Sequence, residues 1–250
     1  MLAAERYKLI RKKLEENGAV SNEELIKAFQ MSDETVRRDL IKMEKSGFCT
    51  RVHGGAVRNG EFVQSSIISY RSGKNEQLKI ELAKKAVKFV REGDIISIDS
   101  GSTTAAFSEE LKENFSNLTI VTYSLSVFEI LKKRFKVILC GGLYDDNENA
   151  FYGSVAISEM LSLHTQKAFL APSAISIKAG IRDYQGDLIL VQKAMYDNSD
   201  KVFFLADSSK FERNALYKIA DIKREHVFIS DNSLSSDIKK IYSDNGIKIY

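Results

Sequence analysis

The chain has 250 residues, 44% of them hydrophobic and 28% charged, with 37 Lys and Arg against 34 Asp and Glu. This composition is typical of a soluble globular protein with one or two domains, and no low-complexity tract interrupts it. The apolar runs are far too short to cross a bilayer, and no signal peptide is recognisable, so we expect a cytoplasmic protein that does not bind membranes.

The charge is unevenly distributed along the chain. Residues 1–60 contain 12 basic and 9 acidic residues, whereas residues 61–250 contain 25 of each. The whole net charge of +3 therefore lies in the first quarter of the chain. The cysteines, Cys49 and Cys140, are far apart in sequence, and the three histidines form no ligand pattern. We therefore predict neither a metal site nor a cofactor, and a reducing compartment.

The first element is an amphipathic helix that ends near Asn17-Gly18, and two shorter helices follow it. Ser21 and Glu24 have the spacing of a capping box at the start of the second helix. Gln30 and Met31 form the turn, and Ser32 is a candidate N-cap for the third helix.

The third helix predicts a buried stripe of Val36, Leu40 and Met43 at spacing i, i+4, i+7, which leaves the paired arginines outside. After it, residues 48–52 and 56–58 alternate like two strands around a His-Gly-Gly turn. This order of elements predicts a helix-turn-helix with a wing, whose third helix fits the major groove of double-stranded DNA. The predicted DNA contacts are Ser32, Thr35, Arg37, Arg38, Lys42, Arg51 and His53.

A small helical bundle with a solvated charged face is the alternative interpretation of this segment, and the order, the spacing and the wing together disfavour it. Because the positive charge is modest, we expect DNA affinity to need more than one copy of the segment on an operator. The chain is therefore expected to form a homo-oligomer, a dimer or a tetramer.

Residues 59–74 lack helical periodicity and predict a linker between a DNA-binding domain at residues 1–58 and a second domain at residues 75–250. In the second domain, helical segments alternate with apolar runs such as DIISID, LTIVT, KVILC, KAFLA and KVFFLA. This alternation predicts an α/β fold with a mostly parallel sheet, whose ligands bind at the carboxyl ends of the strands.

Three loops at predicted strand ends carry polar or glycine residues suited to an anion. The first has hydroxyls, a glycine and a helix N-terminus, which together favour a phosphate. The others are a Gly-Gly loop after KVILC and an Asp-Ser-Ser-Lys loop after KVFFLA. The candidate effector-binding residues of the three loops are Asp99, Ser100, Gly101, Ser102, Thr103, Thr104, Gly141, Gly142, Asp207 and Lys210. The alternative is that these are ordinary strand-to-helix turns with capping hydroxyls.

The string TVRRDL at residues 35–40, followed by RVHGGA at residues 51–56, resembles the DeoR family of bacterial transcriptional regulators. DSGSTT, TYS, CGG, FLA and ADSSKF then occur in family order, so the resemblance covers nearly the full length. It implies a regulator, mostly a repressor, of a sugar operon that responds to a sugar phosphate through a second domain similar to the ribose-5-phosphate isomerase and CoA-transferase-like fold. It adds Thr122 and Ser124 to the candidate effector site.

The chain departs from the family pattern near this site. Tyr123 stands where Asn is usual, residues 171–173 lack the usual glycine, and Asp145, Asp146 and Glu148 follow the Gly-Gly loop where a basic residue is more common. Acidic groups beside a phosphate weaken its binding.

Two alternatives to a sensing repressor therefore stay open. One is a DNA-binding protein whose second domain only oligomerises. The other is a sugar-phosphate isomerase-like enzyme, which the absence of a carboxylate directly after KAFLA disfavours, because proton abstraction needs a base within reach.

Overall fold

The computed structural model describes residues 3–17, 19–52, 55–58, 73 and 75–250. His53 and, apart from Gly73, the predicted linker lie outside these ranges. The N-terminal elements are helices α1 (Ala3–Asn17), α2 (Asn22–Phe29) and α3 (Asp33–Lys45) and strands β1 (Ala19–Ser21), β2 (Cys49–Val52) and β3 (Gly55–Arg58).

The three N-terminal strands form an antiparallel sheet in the order β1-β3-β2. Strands β2 and β3 confirm the predicted wing. Strand β1 was not predicted, since three residues between two helices are too few to show a period-2 pattern. The sheet pairs β1 with β3 and thereby attaches the wing to the segment that leads into α2.

Side-chain caps begin both α2 and α3, as the sequence predicted. The Ser21 hydroxyl accepts from Glu24 N at 3.1 Å, and the Glu24 carboxylate accepts from Ser21 N at 3.1 Å, which completes the capping box. Gln30 has a φ of +51° at the end of α2. Ser32 then accepts from Thr35 N at 3.4 Å and starts α3.

Eleven further strands and six further helices follow in the described part of the chain. The strands are β4 (Ile95–Ile98), β5 (Thr119–Thr122), β6 (Lys136–Leu139), β7 (Leu143–Asp145), β8 (Ala150–Tyr152), β9 (Thr165–Leu170), β10 (Ala174–Ser176), β11 (Gly180–Asp183), β12 (Ser199–Leu205), β13 (Tyr217–Ala220) and β14 (Val227–Ile229). The helices are α4 (Glu76–Ala86), α5 (Ser102–Asn114), α6 (Leu125–Leu131), α7 (Gly153–Ser162), α8 (Ile189–Asp197) and α9 (Ser236–Asp244).

Six strands form one parallel sheet in the order β14-β12-β9-β4-β5-β6. Both faces of this sheet are covered, as the alternating side chains of β9 show. Phe169 packs in a core cluster with residues of α4, α5 and α6, whereas its neighbours Ala168 and Leu170 pack in a second cluster with residues of α7, α8 and α9. The predicted α/β class with a mostly parallel sheet is confirmed.

Smaller antiparallel elements were not predicted from the sequence. Strands β10, β11 and β13 form a three-stranded sheet, and β7 pairs with β8. The sequence pattern also predicts a last strand at residues 247–250, which is wrong, because Ile249 makes only an isolated bridge to Phe228.

Candidate functional site

The outward side of α3 carries the predicted DNA contacts. Arg37, Arg38 and Lys42 are exposed, whereas Val36 and Leu40 on the other side are buried. The sequence pattern of this helix therefore places its basic side chains on a surface that DNA can reach.

Hydroxyls and a wing residue complete the predicted interface. The Thr35 side chain is half-buried, and its hydroxyl shares a hydrogen bond of 3.0 Å with that of Ser32. Arg51 lies on β2 and donates its backbone N–H to Glu44 at 2.7 Å, which connects the wing to α3. Apart from His53, which is outside the described residues, the predicted contacts lie on α3, at its N-cap or on β2.

Each of the two exposed arginines of α3 has a carboxylate one turn earlier in the helix. Arg37 Nε lies 3.8 Å from an oxygen of Asp33, and Arg38 Nε lies 3.1 Å from an oxygen of Glu34. All four side chains are more than half exposed. The positive charge of this surface is therefore partly neutralised by the helix itself.

A cleft lies at the carboxyl ends of the central strands β4, β9 and β12. The loops after these strands and the start of α4 line it. Its lining residues are Asn75, Lys79, Gly101, Ser102, Thr103, Ala171, Pro172, Ser173, Leu205, Ala206, Asp207, Ser209 and Lys210. Five predicted effector residues are among them: Gly101, Ser102, Thr103, Asp207 and Lys210.

The N-terminus of α5 opens onto this cleft. Gly101 precedes the helix with a φ of +127°, a conformation that side chains other than glycine rarely adopt, and it provides no side-chain cap. The Thr104 hydroxyl donates to the carbonyl oxygen of Gly101 at 2.9 Å and stabilises the turn from below. Backbone N–H groups at a helix start attract anions, so this end of α5 suits a phosphate.

Two lysines supply positive charge to the cleft. Lys210 comes from the loop after β12, as predicted, and Lys79 comes from α4 and was not predicted. Lys79 is 5% exposed and lies on the buried side of α4 with Leu82, Ala83 and Ala86. A lysine inside the apolar stripe of a helix is the sequence signal that could have identified it, because such a residue is rarely buried without a partner.

Asp207 organises the third loop instead of standing free in the cleft. The residue is 2% exposed, and its carboxylate accepts from Ser209 N at 3.0 Å, from the Ser209 hydroxyl and from Asn75 Nδ2 at 3.4 Å. These contacts join the start of α4 to the loop after β12 and hold Lys79 and Lys210 on the same cleft.

Asp99 also has a different place from the one that the sequence suggested. Its carboxylate is fully buried and does not line the cleft. It accepts from Ser100 N at 2.8 Å, Ala171 N at 3.0 Å, Gln192 Nε2 at 3.2 Å and the Tyr123 hydroxyl. Burial raises the pKa of Asp99 to about 6, and the hydrogen bonds from Tyr123 and Ala171 oppose this rise. The contacts of this carboxylate support the first loop from beneath.

The remaining predicted effector residues do not reach the cleft. Ser100 and Thr104 are buried in the first loop, Thr122 donates to Ile98 O at 2.7 Å, and Ser124 caps α6. Thr122 and Ser124 follow β5, and Gly141 and Gly142 follow β6. Strands β5 and β6 lie on the side of β4 away from β9 and β12, so these four residues are displaced from the cleft.

The Gly-Gly loop has a structural explanation. Gly142 has a φ of +154°, and a Cβ there would lie 2.4 Å from Tyr152 O. Of the three acidic residues beyond it, Glu148 is buried and accepts from Gln185 Nε2 at 2.7 Å, and none of the three lines the cleft. Their charges therefore do not face an anion bound at α5.

None of the helices in the described ranges combines the length and the apolar character that crossing a bilayer requires. The same ranges contain no group of three or more His, Cys, Asp and Glu side chains arranged for a metal ion.

Comparison with known proteins identifies relatives along the whole chain. The L-fucose operon activator of Haemophilus influenzae is 30% identical over 97% of this chain and 97% of its own length. The lactose phosphotransferase system repressor of Lactococcus lactis is 32% identical over 88% of this chain and 87% of its own. Among solved structures, ribose 5-phosphate isomerase A of Methanocaldococcus jannaschii covers 55% of this chain and 55% of its own, with 21% identity and a TM-score of 0.41.

Family models match both parts of the chain. Residues 6–62 match the DeoR-like helix-turn-helix domain, and residues 74–232 match the DeoR C-terminal sensor domain. The second match alone spans more than half of the sequence. The chain therefore belongs to the DeoR family and is a DNA-binding transcriptional regulator with a C-terminal sensor domain.

Proposed function

We propose that this regulator represses a sugar-metabolism operon and that a phosphorylated sugar, bound in the cleft, controls its affinity for the operator. The observation that carries the proposal is the convergence of the α5 N-terminus, Lys79 and Lys210 on one cleft. A helix N-terminus and two ammonium groups form a site for a dianionic phosphate, and the hydroxyls of Ser102, Thr103 and Ser209 are suitable partners for it.

The related proteins support a sugar operon as the target. The relatives include an L-fucose operon activator and a lactose phosphotransferase system repressor, so both signs of regulation occur among proteins of similar sequence. We favour repression, and in vitro transcription from the bound promoter tests it directly. Added protein should lower the transcript yield, and the correct sugar phosphate should restore it. An increase in yield on adding the protein would show activation instead.

The chemistry of the cleft supports a sensor over an isomerase. Among the described residues that line it, Asp207 is the one carboxylate, and that carboxylate accepts hydrogen bonds from Asn75 and Ser209. Proton abstraction needs a base that can reach the substrate carbon. Asp99 is buried beneath the loop with four donors around it, which supports binding without turnover.

We also propose a homo-oligomer, a dimer or a tetramer, with residues 1–58 binding DNA and residues 75–250 sensing the effector and joining the copies. The excess of three positive charges in residues 1–60 is small for a DNA-binding module, and two copies on neighbouring half-sites raise the affinity through effective concentration. Native mass spectrometry of the full chain, with and without a duplex, tests the stoichiometry.

The sensing function is tested by fluorescence anisotropy with a labelled duplex from the region upstream of the protein's own gene. Hexose and pentose phosphates are titrated, each beside its unphosphorylated sugar and beside inorganic phosphate. We expect one sugar phosphate to change the DNA affinity and its unphosphorylated sugar to have no effect at the same concentration. If none of the phosphates changes the affinity or the thermal stability, the second domain serves oligomerisation and the sensing proposal fails.

A further inference from the structure

The recognition helix exposes an acidic side chain where DNA binding favours basic ones. A helix advances about 100° per residue, so the side opposite the buried stripe of Val36, Leu40 and Met43 carries Glu34, Arg38 and, in the last turn, Lys45. Arg37 and Lys42 lie on either edge of this outward side. The N-terminal residues of such a helix are the ones that contact base edges, so Glu34 and Arg38 are the side chains on this side that meet the bases when α3 enters the major groove.

Glu34 needs a partner on the DNA when it is in that position. A carboxylate among phosphates is repelled. The Glu34 side chain is 67% exposed, and its ion-pair partner Arg38 lies on the same outward side of the helix. In the major groove, the hydrogen-bond donors on base edges are the amino groups of cytosine and adenine. A glutamate on the outward side of α3 is therefore placed to select a base that carries such an amino group.

Arg38 favours cytosine over adenine as the base that Glu34 contacts. Its Nε lies 3.1 Å from Glu34 Oε1, so the pair presents an acceptor and a donor side by side. A G·C pair presents the complementary arrangement, with the cytosine amino group beside the guanine O6 and N7 acceptors, and arginine pairs with guanine through two hydrogen bonds. The neighbouring Asp33–Arg37 pair is looser at 3.8 Å, and Asp33 also accepts from Asn22 Nδ2 at 3.3 Å, which directs it toward α2.

We propose that Glu34 and Arg38 act as one unit that reads a single G·C base pair in each half-site, with Glu34 accepting from the cytosine amino group and Arg38 donating to guanine. The proposal rests on α3 being the helix of the helix-turn-helix domain that enters the major groove, and it is independent of the identity of the effector. It assigns a specificity role to an acidic residue that lowers the general affinity for DNA.

The test is selection by the full chain from a duplex library whose randomised core is long enough for two half-sites. The wild-type protein should enrich one G·C pair at a fixed place in each half-site. The Glu34→Gln protein should lose about five- to a hundredfold of its discrimination at that base pair, with the other positions kept. It should also bind random duplexes more tightly, because a negative charge has been removed. The Arg38→Gln protein should lose the same base preference and bind random duplexes less tightly.

An Arg–Glu pair on α1 provides the matched control. Arg11 Nε lies 3.0 Å from Glu15 Oε1, with side chains that are 59% and 54% exposed. The Glu15→Gln protein should enrich the wild-type motif. Circular dichroism and thermal unfolding check that each variant is folded. We expect folded variants, because the side chains of Glu34, Arg38 and Glu15 are exposed. Glu34→Ala provides a second variant at the same position.

Two results would overturn the proposal. If Glu34→Gln binds every duplex more tightly while the selected motif stays the same, Glu34 is a surface carboxylate that only neutralises Arg38. If a folded Glu34→Gln protein loses affinity for random duplexes as well, Glu34 supports the interface as a whole and reads no base.

Discussion

Arg6 and Asp39 form a buried ion pair with two contacts that joins α1 to the recognition helix. Arg6 Nε lies 2.5 Å from Asp39 Oδ2, and Nη2 lies 3.1 Å from Oδ1. The residues are 8% and 4% exposed. Asp39 directly follows the two arginines of α3, so the pair fixes the rotation of that helix and the direction in which Arg37 and Arg38 project.

The Asp39→Asn variant should destabilise the N-terminal part of the chain. It leaves the guanidinium of Arg6 buried without its charge partner, and removal of one member of a buried pair is strongly unfavourable. We expect the thermal unfolding midpoint of this part to fall by about 10 °C. Circular dichroism during heating measures that midpoint. Operator affinity should fall with it, because α3 loses its fixed rotation.

The exposed pair of Arg11 and Glu15 tests whether burial is the cause. Glu15→Gln should leave the midpoint nearly unchanged, since exposed ion pairs contribute little. Equal effects of Asp39→Asn and Glu15→Gln would contradict the structural role of the buried pair. Replacing Arg6 and Asp39 together with leucine should recover part of the stability that Asp39→Asn loses.

The sequence predicted the elements whose pattern is local. The capping box at Ser21, the buried stripe of α3 and the apolar runs that form β4, β5, β6, β9 and β12 each have a recognisable signal within a few residues. Strands β10, β11 and β13 have three or four residues, and β13, which pairs with β11, begins 34 residues after β11 ends. Their pairing depends on tertiary contacts, which no local pattern contains.

The candidate site was predicted in part for a similar reason. The loops after β4 and β12 were identified from their hydroxyls, glycine and lysine, and both line the cleft. The sequence could not give the order of the strands, so the loops after β5 and β6 were placed at the same site. Lys79 was missed because it lies on a helix before the first strand of the sheet, and the chain brings it to the cleft through packing of α4.

The Lys79→Gln variant should reduce the affinity for the sugar phosphate by roughly ten- to a hundredfold, because a charge-assisted contact with the phosphate is lost. Affinity for the operator without effector should stay at the wild-type level, since α4 lies outside the helix-turn-helix. Isothermal titration calorimetry with the active sugar phosphate measures the first quantity, and fluorescence anisotropy measures the second.

Lys84 provides a control on the same helix, because its side chain is exposed and does not line the cleft. Lys84→Gln should bind the effector as the wild type does. Lys210→Ala should reproduce the Lys79→Gln phenotype, with operator binding kept and the effector response lost. Loss of operator binding in either cleft variant would mean that the lysine supports the fold and not the phosphate.

Protonation of Asp99 should stabilise the protein as the pH falls. Burial raises its pKa from 3.8 to about 6. Between these values the native state binds a proton that the unfolded state does not, so this group adds stability as the pH falls from about 6 to 4, by at most about 3 kcal/mol. Urea unfolding of wild type and Asp99→Asn across this range measures the difference, which should grow toward low pH.

Asp221→Asn is the control for that series, because the Asp221 side chain is 75% exposed. Its effect on the free energy of unfolding should be small, because exposed ion pairs contribute little. A difference between Asp99→Asn and wild type that stays constant from pH 7 to 4 would show that Asp99 keeps an ordinary pKa in the native protein.

Protonation of His226 should destabilise the protein as the pH falls, whereas protonation of Asp99 should stabilise it. It is 4% exposed among Tyr196, Phe204 and Phe228, and burial lowers its pKa from 6.5 to about 4, with Glu225 opposing and Lys223 adding to this shift. Its Nδ1 accepts from Lys223 N at 3.2 Å, so the proton of the neutral ring is assigned to Nε2, which then donates to the Tyr196 hydroxyl at 2.9 Å. Protonation of Nδ1 removes the acceptor of the Lys223 N–H.

The neutral imidazole therefore contributes stability that is complete above about pH 6.5 and is lost as the pH falls toward 4. The loss should be on the order of 2 kcal/mol once solvent screening is included. Urea unfolding of His226→Gln should show a smaller loss between pH 7 and 4.5 than wild type, because glutamine does not titrate. His164 is the matched control: it is 62% exposed beside Asp200, so His164→Gln should change the free energy of unfolding little, because exposed ion pairs contribute little. If His226→Gln loses as much stability as wild type over this range, His226 titrates normally and the aromatic cluster does not keep it neutral.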